Sequence, residues 1–330
     1  MKAVRLHAKG DLRVEEIAAP SAPQGDQVLV KVSAAGICGS DLHNFRTGQW
    51  ISRAPSTAGH EFSGTVLSVG PDVRAFKPGD RVAADSRYWC GDCGPCREGL
   101  HHLCAKLGFV GELCDGGFAE QVILPERLLH AVPPGLPDEV AAMAEPYAVA
   151  LHAVRRLQLH DNEPVLIAGA GPIGGLAALV LAEQGFTDIR VADRNAARAQ
   201  LVSGVTGARV VPLAKEEGQR PLRAAIDATG SVQALRALID CLDGGARLAI
   251  VGISHGSLDI DPNILVEREM SLIGCHAFRD ELPDALAMLS ASAPRAARLI
   301  DRVIGLDDVP EAYRRLIAGE ATGLKTIIRP

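Results

Sequence analysis

Within the eight residues Gly36-Ile37-Cys38-Gly39-Ser40-Asp41-Leu42-His43 stand a soft metal ligand, a hydroxyl, a carboxylate and an imidazole. His60 and Glu61 follow in Gly59-His60-Glu61-Phe62-Ser63-Gly64, and Glu145 much later in Ala144-Glu145-Pro146. Cys38 and His60 with one or both glutamates make a mixed sulfur, nitrogen and oxygen donor set. Zn²⁺ accepts that borderline-soft ligation when a catalytic site keeps one position open. Either Cys38 or His60 alone would read as packing or surface. Together they read as a metal centre.

A second set is Cys90-x2-Cys93-x2-Cys96-x7-Cys104. Four thiolates at this spacing fit a closed tetrahedral site, and Gly91, Gly94 and Pro95 let a short loop wrap one ion. Closure leaves no open coordination position, so the role is structural. An iron–sulfur cluster is the rival, disfavoured because no second cysteine group or cluster-type proline follows. Cys114, Cys241 and Cys275 lack partners at useful spacing and read as packing residues.

The third signal is Gly169-Ala170-Gly171-Pro172-Ile173-Gly174, directly after the all-apolar run Val165-Leu166-Ile167-Ala168. A glycine motif that follows a strand and opens a helix cradles a dinucleotide pyrophosphate, and Pro172 suits the first helical position. A second strand, Ile189-Arg190-Val191-Ala192, ends at Asp193, where a carboxylate binds the adenosine ribose hydroxyls and repels a 2′-phosphate. NAD is therefore expected, although Arg194 and Arg198 stand near enough to accommodate a phosphate. Val251 and Gly252, closing a later strand, complete the expected cofactor contacts.

The elements that must position these groups divide in two. At 330 residues the chain calls for two domains, and its 47% hydrophobic content suits a globular fold. A net charge of −6 without basic clusters argues against nucleic acid or an anionic membrane as partner. No apolar signal-peptide core follows Met1, and eight cysteines without an export signal suit a reducing, cytoplasmic location. The uncharged run 164–182 holds four glycines and two prolines, so it reads as strand, turn and helix rather than a membrane span. Residues 1–80 are strand-like and suggest a small antiparallel barrel, with the Cys38 segment and His60-Glu61 on its loops. An alanine-rich helix pair over 141–158 carries Glu145, and strands then alternate with helices. The crossover over 212–223 is barely long enough for a parallel connection, and 301–330 reads as short strands and one helix. The expected division is a catalytic domain over 1–145 and 280–330, with a metal lobe at about 88–106, and a cofactor domain over 146–279.

With Cys38, His60, Glu61, the four-cysteine lobe and Gly169-x-Gly171-x-x-Gly174 in this order, the chain resembles the zinc-containing medium-chain dehydrogenases nearly end to end. It is most similar to their polyol branch, which includes sorbitol, idonate, threonine and 2,3-butanediol dehydrogenases. The stretches that carry this are Cys38 to His43, Leu107-Gly108-Phe109-Val110-Gly111, Gly116-Gly117-Phe118-Ala119-Glu120, and Glu145-Pro146-Tyr147-Ala148 with the residues following. The resemblance implies an α/β protein, a GroES-like catalytic barrel joined to a Rossmann doubly wound sheet. It implies two zinc ions, the catalytic one on Cys38 and His60 with Glu61 and Glu145 as ligands or exchanging near-ligands, and Asp41 orienting His60. It implies NAD-dependent oxidation of a secondary alcohol, a polyol or vicinal diol, reversible to the ketone, by a homodimer or homotetramer. Ser40 and His43 would carry the proton out through a cofactor ribose hydroxyl. The bland alternative makes Ser40 a helix cap and His43 a solvated surface residue. Asn44-Phe45 departs from sorbitol dehydrogenases, which tend to carry a tyrosine there. An amino-alcohol substrate, a reductase of activated double bonds or quinones, and a non-catalytic nucleotide-binding relative are the other readings.

Overall fold

Val28, Val30 and Val32 alternate on the buried side of the strand Gln27–Gly36 (β1), with Lys31 exposed between them. The computed structural model describes residues 1–215 and 220–330. Its chain leaves β1 not as a loop but through a helix, Gly39–Thr47 (α1). The Asp41 carboxylate, at the third helical position, accepts from the backbone N–H of Cys38 at 2.8 Å, and Gly48 ends the helix at φ 70°. Glu61–Val69 (β2) pairs antiparallel with β1. The expected loop placement is thus corrected: Cys38 caps a helix and Glu61 opens a strand. A capping carboxylate three residues after Cys38 was the local signal for that helix.

Among the described residues β1 and β2 belong to a seven-stranded sheet, and Lys2–Ala8 pairs with Asp11–Glu16 and Ser56–Thr57 in a three-stranded one. Val4, Val28, Val30, Phe62, Phe118 and Tyr313 share the core between them. The four cysteines lie between the short paired strands Arg87–Tyr88 and Gly108–Phe109. Glu145 stands in the first turn of Ala144–Arg156 (α2), after the short helix Asp138–Ala141.

The second half is a parallel sheet. Val165–Ala168 (β3), Pro172–Glu183 (α3), Ile189–Ala192 (β4), Arg209–Val210 (β5), Ala224–Asp227 (β6), Arg247–Ile250 (β7) and Ser271–Gly274 (β8) follow in sequence. Every pairing is parallel, in the order β5-β4-β3-β6-β7-β8. This is the doubly wound Rossmann order, with its binding crevice outside the carboxyl ends of β3 and β6. All residues of β3, β4 and β6 are buried, as strands covered on both faces must be. The crossover over 212–223 holds no helix or strand among its described residues; 216–219 lie outside them. A helix at Pro262–Arg268, which hydrophobic periodicity did not mark, precedes β8.

Leu282–Ala297 (α4) packs into the core with α2 and α3. Ile300–Ile304 (β9) and Lys325–Ile328 (β10) then run parallel, and β10 lies antiparallel to β1, Ile327 opposite Gly36. The end of the chain is therefore woven into the first sheet. No helix of the described residues is long and apolar enough to cross a membrane.

Candidate active site and metal centres

Strand pairing assembles the first donor set. Gly36 at the end of β1 faces Glu61 at the start of β2, which sets Cys38 beside His60. Ligand atoms of Cys38, His60 and Glu61 all lie within 4.8 Å of one another. His60 and Glu61 are buried and Cys38 half-buried. Asp41 Oδ1 lies 3.6 Å from His60 Nδ1, too long for a hydrogen bond but close enough to act on its charge. With Nδ1 turned to Asp41, His60 Nε2 faces Ser40 Oγ at 3.4 Å. Ser40 is the second helical residue of α1 rather than its cap, because Cys38 holds the capping position.

Glu145 is not part of that close set. Its Oε1 accepts from the Ser86 hydroxyl at 2.6 Å, and burial pushes its pKa up to about 7. Lys325 is the unforeseen member. Its Nζ donates to Glu61 Oε1 at 2.7 Å and to the Ile37 carbonyl at 3.1 Å, wholly inside the protein. A Cβ at Gly36 would stand 2.3 Å from Glu61 Oε2, so glycine here leaves room for the pair as it stands. Lys325 is 264 residues from Glu61 in sequence. The one signal for it was a lysine set in the otherwise uncharged, strand-forming Leu324-Lys325-Thr326-Ile327-Ile328.

Acidic groups outnumber basic ones in this pocket. Burial alone would push His60 down, yet Asp41 first and Cys38 next hold its pKa well above the usual range. Burial likewise opposes Lys325, and Glu61 foremost draws it up. A half-buried sulfur with buried nitrogen and oxygen donors, in a field that favours added positive charge, fits a Zn²⁺ ion.

His43, one turn beyond Ser40 on α1, is half-buried. Its Nε2 lies 2.9 Å from Gln49 Oε1 and 3.1 Å from Thr47 Oγ1. The Thr47 hydroxyl donates to the His43 carbonyl at 2.9 Å, so its oxygen can only accept from the ring. Two acceptors at Nε2 assign the proton there, so Nδ1 carries the lone pair.

The second donor set closes on itself. Sulfur separations are 3.5 Å for Cys90–Cys104, 3.9 Å for Cys93–Cys104 and 4.0 Å for Cys90–Cys96. Zn–S bonds of about 2.3 Å in a tetrahedron put sulfurs about 3.8 Å apart. Backbone N–H groups of Ala105 and Cys96 hold the Cys93 thiol down to about 6, whereas contact with Asp92 raises Cys90 to about 12. Four thiols this close cannot all ionise without a cation among them.

The glycine motif forms the turn from β3 into α3. Gly169 sits at φ 96°, and a Cβ on Gly174 would stand 1.8 Å from the Gly169 carbonyl oxygen, which only glycine avoids. At Gly171 nothing lies within 4 Å of where a Cβ would stand, and Pro172 opens the helix. A pyrophosphate can approach the backbone there. Asp193 Oδ2 accepts from Ala170 N at 2.6 Å and Oδ1 from Asn195 N at 2.6 Å, which leaves each oxygen a further lone pair for a ribose hydroxyl. Arg194 is exposed. Arg198, whose N–H is capped by Asn195 at 3.2 Å, keeps a buried Nε without a partner among the described residues. Val251 and Gly252 follow β7 at its carboxyl end, and both backbone N–H groups bond to the Asp227 carbonyl, at 3.0 and 2.9 Å.

Comparison with known proteins agrees along the whole chain. Residues 24–134 match the family described as alcohol dehydrogenase GroES-like domain, and residues 172–291 match zinc-binding dehydrogenase. Sorbitol dehydrogenase of Bacillus subtilis (strain 168) is 28% identical, over 100% of this chain and 97% of its own. L-threonine 3-dehydrogenase of Deinococcus deserti is 30% identical over 91% of each. The crystal structure of 2R,3R-butanediol dehydrogenase from Bacillus subtilis superposes with a TM-score of 0.91 at 33% identity, covering 100% of this chain and 99% of that one. A zinc-binding dehydrogenase from Sinorhizobium meliloti 1021, solved with NADP bound, gives 0.94 at 30% identity with the same coverage.

Proposed function

Since this chain belongs to the zinc-containing medium-chain dehydrogenases, in their polyol branch, and is an alcohol oxidoreductase that uses zinc and a nicotinamide cofactor, we propose that it oxidises a secondary alcohol of a polyol or vicinal diol with NAD, reversibly to the ketone. The convergence of Cys38, His60 and Glu61 beside Ser40 carries the reading. Likeness to sorbitol and butanediol dehydrogenases supports the polyol or diol, and likeness to threonine dehydrogenases supports an amino-alcohol as the second reading. The reading extends to a homodimer or homotetramer, and to the domain division 1–145 with 280–330, and 146–279.

Cys38 and His60 would hold a zinc ion, which would supply Lewis acidity that eases loss of the alcohol proton, and a nicotinamide bound at the glycine turn would supply the hydride acceptor. Lys325 restrains Glu61, whose carboxylate would be available both to its ammonium and to the metal. Glu145 stands by on Ser86 as the second carboxylate. Ser40 Oγ accepts the proton of the substrate hydroxyl as it gives up its own, and His43, one turn further along α1, is the terminal base that takes a proton at Nδ1 and releases it to water. Asp193 selects the ribose diol of NAD and repels a 2′-phosphate, while Cys90, Cys93, Cys96 and Cys104 hold a structural ion. The test is NADH absorbance from NAD⁺ with a panel of polyols, vicinal diols and amino-alcohols at alkaline pH. Turnover on polyols or diols is expected. Turnover confined to amino-alcohols would move the assignment to the second reading, and none on any of the three would overturn both.

A further inference from the structure

His255 lies on the loop between β7 and the helix Pro262–Arg268, in the half of the chain that carries the glycine motif. Its imidazole stacks on that of His43 in the metal-binding half, with ring centroids 4.1 Å apart and planes 7° from parallel. Trp50 meets His43 at 4.5 Å and a 46° tilt, and Gln49 and Thr47 occupy Nε2. Among the described residues no charged side chain bonds to His43, and His255 is the titratable group that faces it. The loop presenting His255 is seated on backbone. A Cβ at Gly252 would stand 2.3 Å from Gly230 N, and one at Gly230 would stand 2.4 Å from the Ile253 carbonyl oxygen.

Rings this close to parallel do not aim their nitrogens at one another, so no proton passes between them. A stack fixes a plane, and the plane of His43 decides where its free Nδ1 points. We propose that His255 is a positioning residue for His43, holding the imidazole from the cofactor-binding half so that Nδ1 stays turned to take up the substrate proton. The inference rests on the reading of His43 as proton acceptor.

The test compares His255→Ala and His255→Phe in the zinc-loaded enzyme, alone and combined with His43→Gln. His255→Ala should lower kcat about three- to tenfold near neutral pH, the scale of one aromatic pair, with the defect shrinking as pH rises. The KM for cofactor should change little, His255→Phe should recover most of the loss, and the His43 ring resonances should shift in the alanine variant but far less in the phenylalanine one. In the His43→Gln background the alanine change should cost nothing further. Wild-type kcat and unmoved His43 resonances in His255→Ala, or an equal loss in the His43→Gln background, would overturn the positioning role alone. A His43→Gln enzyme with wild-type rates would instead remove the proton-acceptor reading on which it rests.

Discussion

Lys325 sets the charge balance of the metal pocket. Its ammonium is buried against Glu61 and the Ile37 carbonyl, so removing it leaves a carboxylate uncompensated in the interior. Breaking one partner of a buried pair costs about 3–5 kcal/mol. Lys325→Met should accordingly lower the denaturant midpoint of the metal-free protein, and should make zinc harder to strip with a chelator because a neighbouring positive charge has gone. Unchanged stability together with unchanged zinc release would reject that role. On α1 the relay makes two graded expectations. Ser40→Ala should be nearly inactive, since no neighbouring hydroxyl replaces its own. His43→Gln should slow oxidation about ten- to a hundredfold, less at high pH, with partial rescue by imidazole buffers because water and buffer substitute for a terminal base. Wild-type rates at neutral pH without buffer response would sink the relay while leaving the zinc chemistry in place. Cys38, Ser40 and His43, and separately His60 with Glu61, stood out in the sequence as two short clusters of reactive types, which strand pairing then joins. Lys325 and His255 did not, since each meets its partner from a distant part of the chain.

At the scale of elements, the cysteine lobe and the glycine turn are separable devices. The lobe gathers four sulfurs, with Cys90–Cys104, Cys93–Cys104 and Cys90–Cys96 separations of 3.5, 3.9 and 4.0 Å, whereas the first site has a mixed donor set. Cys96→Ser should reduce metal content from two zinc ions per chain to one and make the lobe more sensitive to proteolysis, and a wild-type protein carrying a single ion would contradict the two-centre reading. The glycine turn and Asp193 form one unit, because the carboxylate ties Ala170 N to Asn195 N across the ends of β3 and β4. Two unit charges about 4 Å apart near a surface interact by roughly 4 kcal/mol before solvent losses. Neutralising Asp193 by Asp193→Asn should therefore raise kcat/KM for NADP relative to NAD by about tenfold or more. An unchanged cofactor ratio would show that Arg194 and Arg198, not Asp193, decide the preference.

Across the whole molecule, polar contacts tie the two halves near the lobe. Arg87 is buried against Asp85, donates to the Phe278 and Arg279 carbonyls, and lies 4.0 Å over the Phe278 ring. His276 Nδ1 is 3.0 Å from the His102 carbonyl oxygen. His152 Nδ1 meets Glu281 Oε1 at 2.9 Å, both buried. Burial would raise the Glu281 pKa, but the His152 contact and the Arg279 N–H outweigh it and bring the carboxyl down to about 2. Because the folded value lies below the ordinary 4.5, the carboxylate's contribution is complete above about 4.5 and is lost as pH falls through about 2. Glu281→Gln should thus lower Tm by a constant amount between about pH 5 and 8, with the gap to wild type narrowing in acid. A gap that widens as pH falls would rule this out.

The sequence by itself pointed to the chemistry: two candidate donor sets, one of four cysteines and one mixed, and a strand, a glycine turn and a helix followed by a second strand that ends at an acid. Those readings depend on residues a few positions apart, where backbone geometry limits what spacing can mean. The α1 helix was within reach of the same reasoning through its Asp41 cap, and the parallel strands through their unbroken apolar runs. Only the tertiary structure decided what the chain end does. β10 pairs with β1 across some 290 residues and delivers Lys325 to Glu61, past a glycine that leaves space for both. It also separated Glu145 from the closest metal donors by giving it to Ser86, and laid His255 on His43. Contacts of that kind are made by sheet register and by how two halves meet, and no local pattern in the chain encodes either.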